Sequence, residues 1–120
     1  TDPRTALADA ISAMRYVRAH AAALDIDPTR IAAGGGSAGG QLAAALATSN
    51  GFEDPADDPS VSYRPAALVL FNPVVDNGPD GYGYGLVASY WKAFSPLHNI
   101  RPGHAPTIIL LGTRDALVPV

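Results

Sequence analysis

The sequence contains no cysteine and one lysine, Lys92, among its 120 residues. Without cysteine there is no disulfide framework, no thiol nucleophile and no cysteine metal site, and the redox compartment stays open. Basic residues are scarce: Lys and Arg total 8 against 11 Asp and Glu, a net charge of −3. With no basic excess to neutralise phosphates, a nucleic-acid partner is not expected. No apolar run approaches the ~20 residues that a membrane helix needs, so no membrane span is expected. No signal peptide opens the chain, and localisation is left open. What is present is an ordinary globular mixture, 48% hydrophobic and 16% charged, which does not suit a disordered tail. Residues 1–120 amount to one domain or part of one, since domains typically run ~100–150 residues. That length is enough to bury a real core.

The hydrophobic pattern alternates between two periods. Leu7, Ile11, Met14, Val17, Ala21 and Leu24 recur at spacings of three and four, which predicts an amphipathic helix over 5–24. Asp2-Pro3 supplies an oxygen cap followed by proline in the first turn, and Asp27-Pro28 stops the helix. Arg30 to Ala33 reads as a short strand running into the glycine turn Gly34 to Gly40, and Gln41 to Thr48 as an alanine-rich helix. The polar stretch 49–65 carries three prolines and reads as a loop. Ala66 to Phe71 and Pro106 to Leu111 are continuous apolar runs, expected as parallel strands covered on both faces. Between them, 76–85 reads as a loop and 86–94 as a short helix. Strands alternating with helices give an α/β class with a parallel sheet of three strands. Such a sheet leaves two unpaired edges, and the expectation is a portion of a larger domain.

The strongest chemical signal is Gly35-Gly36-Ser37-Ala38-Gly39, a G-x-S-x-G set between strand and helix. A serine on such a corner sits in a strained backbone conformation, exposed at the carboxyl end of the sheet. Gly35 and Gly39 fit the places where side chains would clash. The Ala38 amide, at the helix start, can donate to an oxyanion. The simpler reading is a glycine-rich turn with an incidental serine. A rival reading overlaps: Gly34-x-Gly36-x-x-Gly39 also satisfies a dinucleotide fingerprint, with Asp57 or Asp58 at about the distance of its ribose-binding acid. That reading needs a strand over 49–58, where no apolar run exists. Asp115, after Gly112-Thr113-Arg114, follows the last apolar run and lands on the same sheet edge as Ser37. It can orient a histidine or simply cap a turn. The histidines His20, His98 and His104 all precede Asp115, whereas α/β-hydrolases place the histidine last. They read as a surface, a structurally bonded and a loop residue. Asp54, Asp57 and Asp58 lack the spacing of a calcium loop, and no metal site is expected. The aromatic set Tyr82, Tyr84, Tyr90, Trp91 and Phe94 reads as packing more than as a substrate cleft.

Three stretches together resemble the α/β-hydrolases of the acetyl-esterase and hormone-sensitive-lipase-like group. They are Asp9 to Arg18 running through Ile26 to Ile31 into the elbow Gly34–Gly40, then Ser95 to Ile100, then Gly112 to Pro119. The resemblance implies a partial α/β-hydrolase fold and a carboxylic ester hydrolase that needs no cofactor and takes a small ester substrate. It makes Ser37 the nucleophile, Asp115 the triad acid and the Ala38 N–H one oxyanion donor. It also places the His-Gly-Gly oxyanion loop before residue 1 and the catalytic histidine after residue 120. The segment alone is therefore expected to be inactive and to self-associate or pair with missing parts of the fold. A catalytically dead hydrolase-like module is the alternative.

Overall fold

The computed structural model describes residues 2–118. Thr1, Pro119 and Val120, the outermost residues of the expected 1–120 unit, lie outside the described residues. The order is α1 (Pro3–Ala19), β1 (Ala32–Gly36), α2 (Ala38–Thr48), β2 (Ala67–Phe71), α3 (Tyr84–Val87), α4 (Trp91–Phe94), a 3-10 turn (Pro96–Asn99) and β3 (Thr107–Leu110). The strands form one parallel sheet in the order β1-β2-β3. The fold class is α/β, three parallel strands with flanking helices.

Helix α1 starts as its sequence dictates. Asp2 accepts from the Arg4 N–H at 2.9 Å and Pro3 occupies the first helical position. The regular helix stops at Ala19, short of the expected Leu24. The following turn closes with Ile26 N–H on Ala21 O and Asp25 N–H on Ala22 O, with Asp25 at φ 55°. This is a Schellman-type ending with an aspartate where glycine is usual. Leu7, Ile11 and Met14 pack against Ala45 and Leu46 of α2 and against Val87 and Phe94. Each large side chain so buried contributes about 1.5–3 kcal/mol.

Two further expectations need correction. β1 covers Ala32–Gly36 rather than ending before the glycines. Gly34 is needed because a Cβ there would stand 2.6 Å from the Val69 carbonyl oxygen, so close strand approach and not a turn selects it. The helix expected over 86–94 is two one-turn pieces, α3 and α4, separated at Ala88–Tyr90. Among the described residues, helices cover one face of the sheet. Leu68 and Leu70 meet the small residues Ala43, Ala44 and Ala47 of α2. On the other face Val69, Phe71, Ile108 and Leu110 lie open, Phe71 at 49% and Ile108 at 53% exposure. β3 is exposed along its whole length. An unalternating apolar run therefore marks a strand with two apolar faces, of which the described helices cover one.

Candidate active site

β1 ends at Gly36 and α2 begins at Ala38, so Ser37 is the corner between them. Its backbone sits at φ 52° and ψ −119°, a region that costs a non-glycine residue ~1–3 kcal/mol and persists only when its surroundings enforce it. The Ser37 N–H donates to Phe71 O at 3.0 Å, while Ser37 O accepts from Gln41 N–H at 3.0 Å and Val74 N–H at 3.4 Å. Glycine packing completes the clamp. A Cβ on Gly35 would fall 2.6 Å from the Gly39 carbonyl carbon, and one on Gly40 would fall 2.9 Å from both Gly35 O and Pro73 Cβ. Gly39, expected to be the second tight position, has open space for a Cβ. Gly40 takes that role, because Asn72-Pro73 turns back over the elbow with Asn72 at φ 36°. Sequence reasoning missed Pro73, whose contact with α2 depends on the register of β1 and β2. Gly36 is less constrained, its nearest neighbour 3.8 Å from a built Cβ.

A serine at a helix N-cap ordinarily turns its oxygen inward to accept an amide hydrogen. Ser37 makes no such bond and is exposed. The positive φ leaves Oγ uncommitted. The Ala38 N–H, at the first position of α2, has no acceptor within the helix. A hydroxyl and an orphan amide are thus presented next to each other at the carboxyl end of β1.

Asp115 lies at the same end. Gly36 pairs with Phe71 and Phe71 with Leu110, so the turn after Leu110 leaves the sheet at the edge that carries Ser37. The outer strands are ~10 Å apart at the usual spacing of parallel neighbours. Asp115 Oδ1 accepts from Leu117 N–H and Val118 N–H, each at 2.9 Å. Those two amides hold its carboxyl below the usual carboxylate range. Asp115 caps its own turn through Oδ1, and Oδ2 is without a partner among the described residues.

The histidines are engaged elsewhere. His20 Nδ1 lies 2.8 Å from Tyr16 O on the surface of α1. His98 Nδ1 lies 2.9 Å from the buried Ser95 Oγ and 3.7 Å from Asp76 Oδ1. Serine and carboxylate meet the same ring nitrogen there, so His98 cannot relay a proton between them, and it ties a turn as its sequence suggested. His104 precedes β3, at the sheet's amino end, and accepts from the Arg101 N–H.

Beside Ala38 is an apolar cavity of about 250 Å³, walled by Leu42, Leu86, Val87, Phe94 and Tyr82. Packing does account for Tyr90, Trp91 and Phe94, which stack edge-on with Phe52, Tyr84 and His98. Tyr82 differs. It is 54% exposed, and it also lines a cavity with Ala116, Leu117 and Val118. The acidic cluster is divided: Asp57 accepts from Ser12 Oγ at 2.8 Å and pairs with Arg15 at 3.4 Å, fastening the loop to α1. No group of three or more metal-ligating side chains exists among the described residues. Residues 49–66 contain no strand, so the dinucleotide reading lacks the strand end that would carry its acid.

A glycine-buttressed serine corner, an acid two strands away and alternating strands and helices define a hydrolase-type α/β sheet edge. The chain belongs to the α/β-hydrolase fold family, whose model matches residues 3–119. It is similar to Thermogutta terrifontis esterase 2 phosphoramylated by tabun, with 43% identity and a TM-score of 0.92 over 99% of this chain and 45% of that one. The apo form of that esterase gives 42% identity and a TM-score of 0.92, over 99% and 46% of the two chains. The propionate-bound form of this thermophilic planctomycete esterase gives 42% identity and a TM-score of 0.90, over 99% and 46%. The chain thus spans less than half the length of these esterases. No curated protein matches it.

Proposed function

We propose that this chain carries the nucleophile and the triad acid of a serine hydrolase that cleaves carboxylic esters. The observation that carries the reading is Ser37: a strained corner serine, exposed, with an unbonded hydroxyl beside the Ala38 amide. In the proposed reaction Ser37 Oγ attacks the acyl carbonyl and its proton passes to a histidine supplied from outside these residues. The tetrahedral oxyanion is held by the Ala38 N–H and a second donor, each worth on the order of 3–4 kcal/mol. The C–O bond to the alcohol breaks as the histidine returns the proton to the alcohol oxygen. Water then cleaves the acyl-enzyme by the same steps and regenerates Ser37. Asp115 Oδ2 holds the histidine's tautomer. The similar esterase has been obtained phosphorylated by paraoxon and phosphonylated by sarin, and with butyrate bound. An enzyme that takes up phosphorus from such reagents has a nucleophile that attacks it, and Ser37 is the group on this chain suited to that role.

The test is hydrolysis of p-nitrophenyl butyrate by the full-length enzyme that carries these residues, with and without Ser37→Ala. Turnover that survives the substitution assigns the chemistry to another residue. Failure of the unaltered enzyme to react with a fluorophosphonate supports the inactive-module reading instead.

The proposal extends to the isolated chain. A serine without a base is a poor nucleophile at neutral pH, so residues 1–120 alone are expected to show negligible turnover. Their open β1 and β3 edges and bare apolar face are expected to drive self-association. Light scattering that finds a cooperatively unfolding monomer contradicts this.

A further inference from the structure

Two amides beside the elbow are almost wholly buried, Gln41 on α2 at 8% exposure and Asn77 in the loop after β2 at 3%. Gln41 Nε2 donates to Asn77 Oδ1 at 2.6 Å. The Asn77 backbone N–H donates to Ser95 Oγ at 3.0 Å, and its Nδ2 donates to the Tyr82 carbonyl at 2.9 Å. The side chain and backbone N–H of one residue, Asn77, therefore join the helix that follows Ser37, the 76–83 loop and the Ser95 turn. The loop is tightly wound: a Cβ on Gly81 would stand 2.5 Å from the Asp76 carbonyl oxygen. Burying amides is unfavourable unless they are paired, and apolar side chains of similar size would fill this space without that demand. What the amide pair supplies is a fixed geometry. Gln41 and Asn77 both line the 250 Å³ cavity beside Ala38, and the residue they hold, Tyr82, lines it too. Tyr82 also lines the cavity against Ala116–Val118, just past Asp115. Tyr82 is thus common to the cavity beside Ala38 and the cavity beside residues 116–118.

We propose that the Gln41–Asn77 clasp positions the Tyr82 loop as the wall of the acyl pocket, and so restricts this enzyme to short acyl chains. The inference rests on Ser37 being the acyl-transfer nucleophile. The cavity is smaller than the ~300–1,000 Å³ of pockets that take drug-sized ligands. It is apolar, and it adjoins the amide that faces the carbonyl oxygen. An apolar pocket suits the arm that stays attached through both half-reactions. The alcohol has to depart after the first.

The experiment compares kcat/KM for p-nitrophenyl butyrate and octanoate in the full-length enzyme and three variants. Gln41→Met removes the donor at similar length. The exchange Gln41→Asn with Asn77→Gln keeps the pair's summed length and its chemistry. Tyr82→Ala removes the wall and leaves the clasp, because Asn77 Nδ2 donates to the backbone carbonyl of residue 82. The expected result is a butyrate preference that falls on the order of 10-fold in Gln41→Met, through a lower KM for octanoate, the scale at which apolar pockets discriminate chain length. The exchange variant is expected to restore the preference. If Gln41→Met does not fold, Tyr82→Ala carries the test with the same expected shift. An unchanged ratio in a folded Gln41→Met or in Tyr82→Ala overturns the proposal. So does a shift confined to a series of alkyl butyrates, which would assign the cavity to the alcohol. Fluorophosphonate labelling of the unaltered enzyme reports separately on Ser37: a label there with unchanged ratios overturns the clasp alone, and no label overturns the reading beneath it.

Discussion

The Ser37 corner and the Asp115 turn end two strands of one sheet, and they are held in opposite ways. Ser37 is fixed by partners distant in sequence: the Phe71 carbonyl, the Val74 amide, and Pro73 pressed on Gly40. Asp115 is fixed by its own next residues, through the Leu117 and Val118 amides. The first arrangement forces an unfavourable φ and frees an oxygen. The second is relaxed and half-buried, and commits one carboxylate oxygen while leaving the other. Tertiary packing maintains the strained corner, whereas a local turn is enough to hold a carboxylate.

The largest expected effect separates the two by chemistry. Ser37→Ala in the full-length enzyme is expected to lower kcat for p-nitrophenyl butyrate by ~10⁴–10⁶-fold. Thermal unfolding should move little, because the exposed hydroxyl makes no bond in the fold. Asp115→Asn comes next, with a loss on the order of 10⁴-fold, the size seen when a triad acid can no longer hold the histidine's tautomer. A loss under about tenfold assigns the acid elsewhere.

Packing gives the next contrast. Gly35→Ala sets a methyl against backbone that cannot move aside, and is expected to destabilise by ~3 kcal/mol or more in urea unfolding. Gly39→Ala meets open space and lies inside α2, so a gain of up to ~1 kcal/mol is expected from helix propensity. Equal effects at the two positions contradict the clamp.

The smallest effect is on pH dependence. Asp115 has its carboxyl lowered in the folded state by the two amides. Its contribution to stability is present above the ordinary carboxylate pKa of ~3.9 and fades as pH falls through the lower folded value. Asp115→Asn should flatten a small part of the acid limb of Tm against pH. The supports of Ser37 contain no titratable group, so Ser37→Ala should leave that limb unchanged.

The sequence carried the local features well and the tertiary ones unevenly. The α1 cap at Asp2-Pro3, the β2 run and the Ser37 corner follow from spacing and turn chemistry, which act within a few residues. Gly40 and Pro73 did not, because their contact exists only once β1 and β2 are in register. Gly39 was expected to be tight from the motif's symmetry, but the α2 backbone reaches Gly35 from one side only. The face with Phe71 and Ile108 carries the same apolar signal as the packed one, since an apolar run reports a strand's preference and not what lies against it. The Gln41–Asn77 clasp joins residues 36 apart, and two amides so separated carry no sequence signal.

The most direct measurement is mass spectrometry of the full-length enzyme after reaction with a fluorophosphonate. The account predicts one adduct, on the peptide containing Ser37, formed in step with the loss of ester hydrolysis and absent in Ser37→Ala. An adduct on another residue, or full inactivation with Ser37 unmodified, contradicts it.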